Sequence, residues 1–167
     1  MTQEEIISKL HPAIQDLTRK ALALANSNLT GRAQVKIAQG LRTWGEQAVL
    51  YSQGRTKPGP KVTNAKAGQS VHNYGLAIDI FLLIDGKVAS WDEQKDWDGD
   101  KQSDWMEVVR AFKTLGFAWG GDWRSFKDMP HFEYTHGLDW QALSKLHDNK
   151  TFIAGTEFVI LPNQNIA

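Results

Sequence analysis

The chain has 167 residues, 41% of them hydrophobic and 23% charged, which is the length and composition of one folded domain with a core of its own. Its 19 basic and 19 acidic residues cancel, and no strongly basic run offers a local grip on nucleic acid. Cysteine is absent, so disulfides and thiolate metal sites are excluded and any metal must be held by nitrogen and oxygen.

The N-terminal residues Met1 to Ile7 carry acids where a secretory signal needs positive charge, and no run approaches the ~18 apolar residues of a membrane span. Synthesis in the cytoplasm without a signal peptide, and no membrane insertion, are the expectations. Thr2 and Glu5 form a capping box for a short helix carrying Ile6, Ile7 and Leu10. Pro12 opens a second helix that runs to about Asn26 with Ile14, Leu17, Ala21, Leu22 and Ala25 at helical spacing. His11, between them, reads as a linker residue.

Alternation of Ala33, Val35 and Ile37 predicts a strand over 33–39, and Thr43 with Glu46 caps the helix that follows. Arg42 sits at that strand-to-helix junction, where side chains often point into a cleft; a surface arginine paired with a carboxylate is the alternative. Residues 54–69 are polar and rich in glycine and proline, a length of loop that is functional or disordered in a compact domain. Residues 76–84 are apolar except for Asp79 and read as a buried strand that turns into a hairpin through Asp85 and Gly86.

Asp96, Asp98, Asp100 and Asp104 surround Gly99 and resemble part of a calcium loop. No twelfth-position glutamate is read in register, so a solvated acidic loop is the expectation. Residues 104–115 predict an amphipathic helix closed by Gly116, and residues 138–147 a short last helix. Residues 151–161 read as terminal strand structure with a hairpin at Ala154 and Gly155. The seven Trp residues read mainly as core, although aromatic rings at that density also line sugar and peptide grooves.

The chemistry concentrates in two short stretches. Residues 70–79 place His72 and Asp79 seven positions apart around Gly75, and His131 follows Asp128 by three positions. Neutral imidazole and carboxylate are zinc ligands, and three of them with an open position for water compose a catalytic zinc site. A carboxylate inside an apolar strand is expensive unless paired or bound to metal, which singles out Asp79; satisfaction by an arginine or by backbone amides is the bland account. Zinc lowers the pKa of bound water towards ~7, and Asp128 beside it is placed to act as general base. His136 in place of His131 is the lesser option, since an extended segment points the two to opposite faces. His147 reads as a surface residue. No nucleophile elbow is present.

Ser70-x-His72-x-x-Gly75-x-Ala77-x-Asp79, joined to Asp128-x-x-His131, resembles the zinc peptidases that include D-alanyl-D-alanine carboxypeptidases and L-alanyl-D-glutamate endopeptidases. Leu41-Arg42-Thr43, Glu46-Gln47, Leu50-Tyr51, Gly54-Arg55-Thr56, Val62-Thr63 and Gly120-Gly121-Asp122-Trp123 are similar to the L-alanyl-D-glutamate branch, so the resemblance spans most of residues 35–135. It implies His72, Asp79 and His131 as zinc ligands and Asp128 as the base, where many members have glutamate. It implies that Arg42 stabilises an oxyanion or holds a substrate carboxylate, and that Ser70 and Gln47 belong to the substrate site.

The expected fold is α+β, hedgehog- or D,D-peptidase-like, with helices flanking a small antiparallel sheet that carries the zinc. A single domain over 1–167 is expected because no wall-binding repeat follows. The expected function is a monomeric zinc endopeptidase, of endolysin type, that cuts the L-alanyl-D-glutamate bond of peptidoglycan stem peptides after release to the cell wall. A D-alanyl-D-alanine carboxypeptidase and a zinc-bearing wall-binding module without turnover are the rival readings.

Overall fold

A computed structural model describes residues 1–162; the last five positions of the expected domain, 163–167, lie outside the described residues. Its spine is β2 (Ala77–Ile84), the apolar strand that contains Asp79. Ile78, Ile80, Leu82 and Ile84 are buried on one face, while Asp79, Phe81 and Leu83 alternate to the other, as the two-residue period of a strand requires.

On one side β2 pairs antiparallel with β1 (Ala33–Gln39). On the other it pairs with β3 (Val88–Ser90) along its C-terminal half and with β5 (His131–Glu133) along its N-terminal half. A short β4 (Ala118–Trp119) adds the outer edge beyond β5. The β2–β3 hairpin turns through Asp85 and Gly86 as expected, both with positive φ, the geometry that matches strand twist in tight hairpins.

The apolar face of the sheet is covered by α2 (Pro12–Asn28) and α4 (Asp104–Thr114), which pack on each other. Ile14, Ala21 and Ala25 from α2 and Trp105, Val108 and Phe112 from α4 are buried there. The Phe112 ring lies 4.7 Å from that of Phe132 on β5, so the core reaches directly beneath the strand that carries His131. Two capping boxes form as read: Thr2 with Glu5 at α1 (Gln3–Ile7), and Thr43 with Glu46 at α3 (Trp44–Ser52). The last helix, α5 (Trp140–Asp148), precedes an antiparallel bridge between Phe152 and Val159. No described helix is long and apolar enough to cross a membrane.

Three readings need correction. His11 is no linker: its ring is fully buried, Nδ1 accepts from the Ala13 N–H as the N-cap of α2, and Nε2 donates to Val159 O at 2.8 Å. His147 is half-buried and stacks on Trp44 with ring centroids 4.5 Å apart. The acidic segment is not simply solvated, because Asp104 and Glu107 at the start of α4 are buried. Among the tryptophans, Trp105 and Trp119 are core, whereas Trp91 and Trp123 are exposed.

Candidate active site

His72 lies on a single 3-10 turn, Val71–Tyr74, that ends at Gly75 with φ +69. A Cβ at Gly75 would sit 2.7 Å from His11 N, whose N–H donates to Gly75 O, so the turn closes tightly on the α1–α2 corner only because no side chain intervenes. Arg42 N donates to His72 O, and Asn73 Nδ2 donates to Arg42 O at 2.8 Å. The histidine turn and the arginine junction, thirty residues apart in sequence, are thus one stitched unit.

Asp79 and His131 meet through sheet register, being directly paired across β2 and β5. His72 completes the group. His72 Nε2 is 3.2 Å from both Asp79 Oδ1 and His131 Nδ1, and His131 Nδ1 is 3.3 Å from Asp79 Oδ1. The opposite ring nitrogens face acceptors: His72 Nδ1 donates to Gly40 O at 2.8 Å, and His131 Nε2 donates to Glu133 Oε2 at 2.9 Å. With their N–H groups committed outward, the two rings turn lone pairs towards one carboxylate and towards each other. Such an arrangement calls for a positive centre, and it is a donor set that could hold a metal ion, with each histidine oriented by an outer partner.

Electrostatics agree. Burial opposes a charged His131, but hydrogen bonds to the Asp79 and Glu133 carboxylates outweigh it and raise the imidazole to about 9, so without an ion the site draws in a proton as its positive charge. Burial likewise opposes a charged Asp79, and its bonds to His131 and His72 override it, holding the carboxyl far below the usual range.

The group opens into a cleft of about 1010 Å³ whose walls include Arg42, Ser70, Trp123, Phe126, Asp128 and Glu133. Asp128 lines the same cleft, its N–H donating to Gly120 O and its own carbonyl accepting from His131 N. A Cβ on Gly120 would come within 2.3 Å of Asp128 O and 3.1 Å of His131 Cβ, so the Gly120–Gly121 pair lets the chain fold over the site. Partial desolvation by the cleft walls, reinforced by the Asp79 carboxylate, pushes Asp128 upward.

Arg42 reaches the site as expected, with Nη2 3.5 Å from Asp79 Oδ2 and Nη1 donating to Gln47 Oε1 at 3.0 Å. Gln47 is fully buried behind it, with its amide nitrogen donating to Ala65 O at 2.7 Å, so it holds Arg42 and the loop rather than facing the cleft. His136 is exposed and stacks edge-on against Tyr134, apart from the donor group. Sequence reasoning missed Glu133. Its signal was present as the i+2 position from His131, which shares the same strand face.

With this geometry in hand, the comparisons with known proteins are specific. The family model described as D-alanyl-D-alanine carboxypeptidase, of peptidase family M15, matches residues 63–134. The chain is 48% identical over 127 residues to the peptidoglycan L-alanyl-D-glutamate endopeptidase CwlK of Bacillus subtilis (strain 168), over 75% of this chain and 74% of that protein. It is 32% identical over 122 residues to the L-alanyl-D-glutamate peptidase of Listeria phage A118, over 68% of this chain and 41% of that longer protein. The crystal structure of Serratia marcescens L-Ala D-Glu endopeptidase ChiX superposes with a TM-score of 0.53 at 22% identity, covering 80% of this chain and 86% of that one, a likeness of fold. The chain belongs to the M15 peptidase family.

Proposed function

We propose that this chain is a zinc-dependent endopeptidase that hydrolyses the L-alanyl-D-glutamate bond of peptidoglycan stem peptides. The observation that carries the reading is the convergence of His72 Nε2, Asp79 Oδ1 and His131 Nδ1 in a cleft that Asp128 also lines. The nitrogen and oxygen donor set suits zinc, and both peptidase relatives carry that bond in their names.

Zinc held there would lower the pKa of a water towards ~7 and polarise the scissile carbonyl. Asp128 takes the proton of the attacking water and delivers it to the leaving amine, a task favoured by a carboxyl pushed above its usual range. Arg42, braced by Gln47, offers its guanidinium to the developing oxyanion or to a substrate carboxylate. Ser70 and the Trp123 ring, 5.1 Å from that of His131, border the path of the peptide.

The test is mass spectrometry of purified peptidoglycan digested by the protein, with and without a zinc chelator. Chelator-sensitive release of peptides that begin with D-glutamate is the expected result. Release of D-alanine alone would move the enzyme to the carboxypeptidase reading, and zinc binding with no products would favour a wall-binding module.

A further inference from the structure

The acidic segment before α4 has no part in the cleft chemistry, yet its carboxylates converge. Asp96, Asp98 and Asp104 each bring an oxygen within 4.8 Å of the others, and so do Asp98, Asp100 and Glu107, with Asp98 common to both sets. Two of these side chains are buried, Asp104 at 0% exposure and Glu107 at 6%. Each has a carboxylate oxygen, Asp104 Oδ2 and Glu107 Oε2, with no hydrogen-bond partner.

Buried carboxylate oxygens without partners are strongly disfavoured unless a cation compensates them. Arg110 offsets the Glu107 charge only through space. Among the described residues none of the five carboxylates is ion-paired with Lys or Arg. Arg110 instead donates to Gln102 Oε1 at 2.7 Å, and Arg32 and Lys95 lie over the Trp97 ring.

Counted from Asp96 as first, Asp98 is third, Asp100 fifth, Gln102 seventh, Asp104 ninth and Glu107 twelfth. These are the positions from which a twelve-residue calcium loop supplies its side-chain oxygens and one main-chain carbonyl, with the last ligand a glutamate on the following helix. The register that the sequence reading found wanting is therefore complete. At the sixth position, where such loops need a left-handed residue, Lys101 has φ +73.

We propose that Asp96, Asp98, Asp100, the Gln102 carbonyl, Asp104 and Glu107 form a calcium site, separate from the His72–Asp79–His131 group and independent of the zinc reading. Calcium fits better than magnesium because the donors are many and all oxygen. Asp98 also accepts from Thr30 N and Thr30 Oγ1, so the ion ties the α2–β1 connection to the first turn of α4. α4 carries Phe112, which packs on Phe132 beneath the active-site strand.

The experiment is calorimetric titration of the full chain with calcium chloride in chelator-treated buffer, joined to thermal unfolding and to terbium emission sensitised by Trp97 at the second loop position. One saturable calcium event, a rise in unfolding temperature and calcium-displaceable terbium emission are expected. Glu107→Gln should lose all three while its unfolding temperature without calcium matches or exceeds that of the parent, since a buried unpaired charge is gone. Asp100→Asn, at an exposed ligand, should weaken calcium binding without loss of fold. The proposal is overturned by absence of heat and of any thermal shift at millimolar calcium, by Glu107→Gln binding calcium as the parent does, or by magnesium binding equally well.

Discussion

Asp79 and His131 are directly paired residues on adjacent antiparallel strands, and their side chains meet with Asp79 Oδ1 3.3 Å from His131 Nδ1. A slip of one residue by β5 would turn His131 to the core face, beside Ile78 and Ile80, and leave Asp79 alone on the other. The packing of Phe132 and Phe112 that fixes the register is therefore also what assembles the donor group.

Glu133 shares that strand face and holds the far nitrogen of His131. Glu133→Ala frees the ring to rotate and removes an acceptor that raises its basicity. Metal affinity or activity should fall by about 10–100-fold, read by competition with a chromogenic chelator and by cleavage rate.

Asp128 is not one of the converging donors, yet it lines the same cleft. Asp128→Asn should lower kcat/KM by about 10²–10⁴-fold while metal stoichiometry stays at the parental value. Unchanged cleavage would remove Asp128 from the mechanism.

Gly120 has backbone and side-chain atoms of the site packed against its missing Cβ. Gly120→Ala must move Asp128 or His131, and a displacement on the order of 1 Å at reacting groups lowers rates by about 10²-fold. Kinetics with parallel metal analysis should show a larger loss of kcat than of bound metal.

His11 gives the fold a pH dependence of its own. Burial, opposed by the bond to Val159 O, lowers its pKa below the ordinary 6.5. A depressed histidine leaves stability intact above the unfolded value; below about 6.5 the unfolded chain takes up a proton that the folded ring resists, so stability falls with falling pH. Denaturation midpoints between pH 8 and pH 5 should decline, with a shallower slope in His11→Ala. That variant should also lose about 1 kcal/mol from the helix cap and about 1–3 kcal/mol from the stranded Val159 carbonyl.

Asp79 was legible in the sequence because an ionised group inside an apolar strand has few physical excuses, and metal ligation is one of them. The helix starts were legible because Thr2, Glu5, Thr43 and Glu46 act over three residues, a range within which sequence and geometry coincide. His11 was misread for the opposite reason: its partner is Val159, 148 positions away. Gln47 was assigned to the substrate, whereas packing puts it behind Arg42, and no local pattern distinguishes a side chain that faces a cleft from one that braces its neighbour.

What the sequence determined by itself was therefore the chemistry available: which groups are titratable, where local caps and turns fall, and which strand carries a charge it cannot bury alone. What only the tertiary structure decided was which of those groups share a few ångströms, because strand register and side-chain packing depend on contacts between residues far apart in the chain.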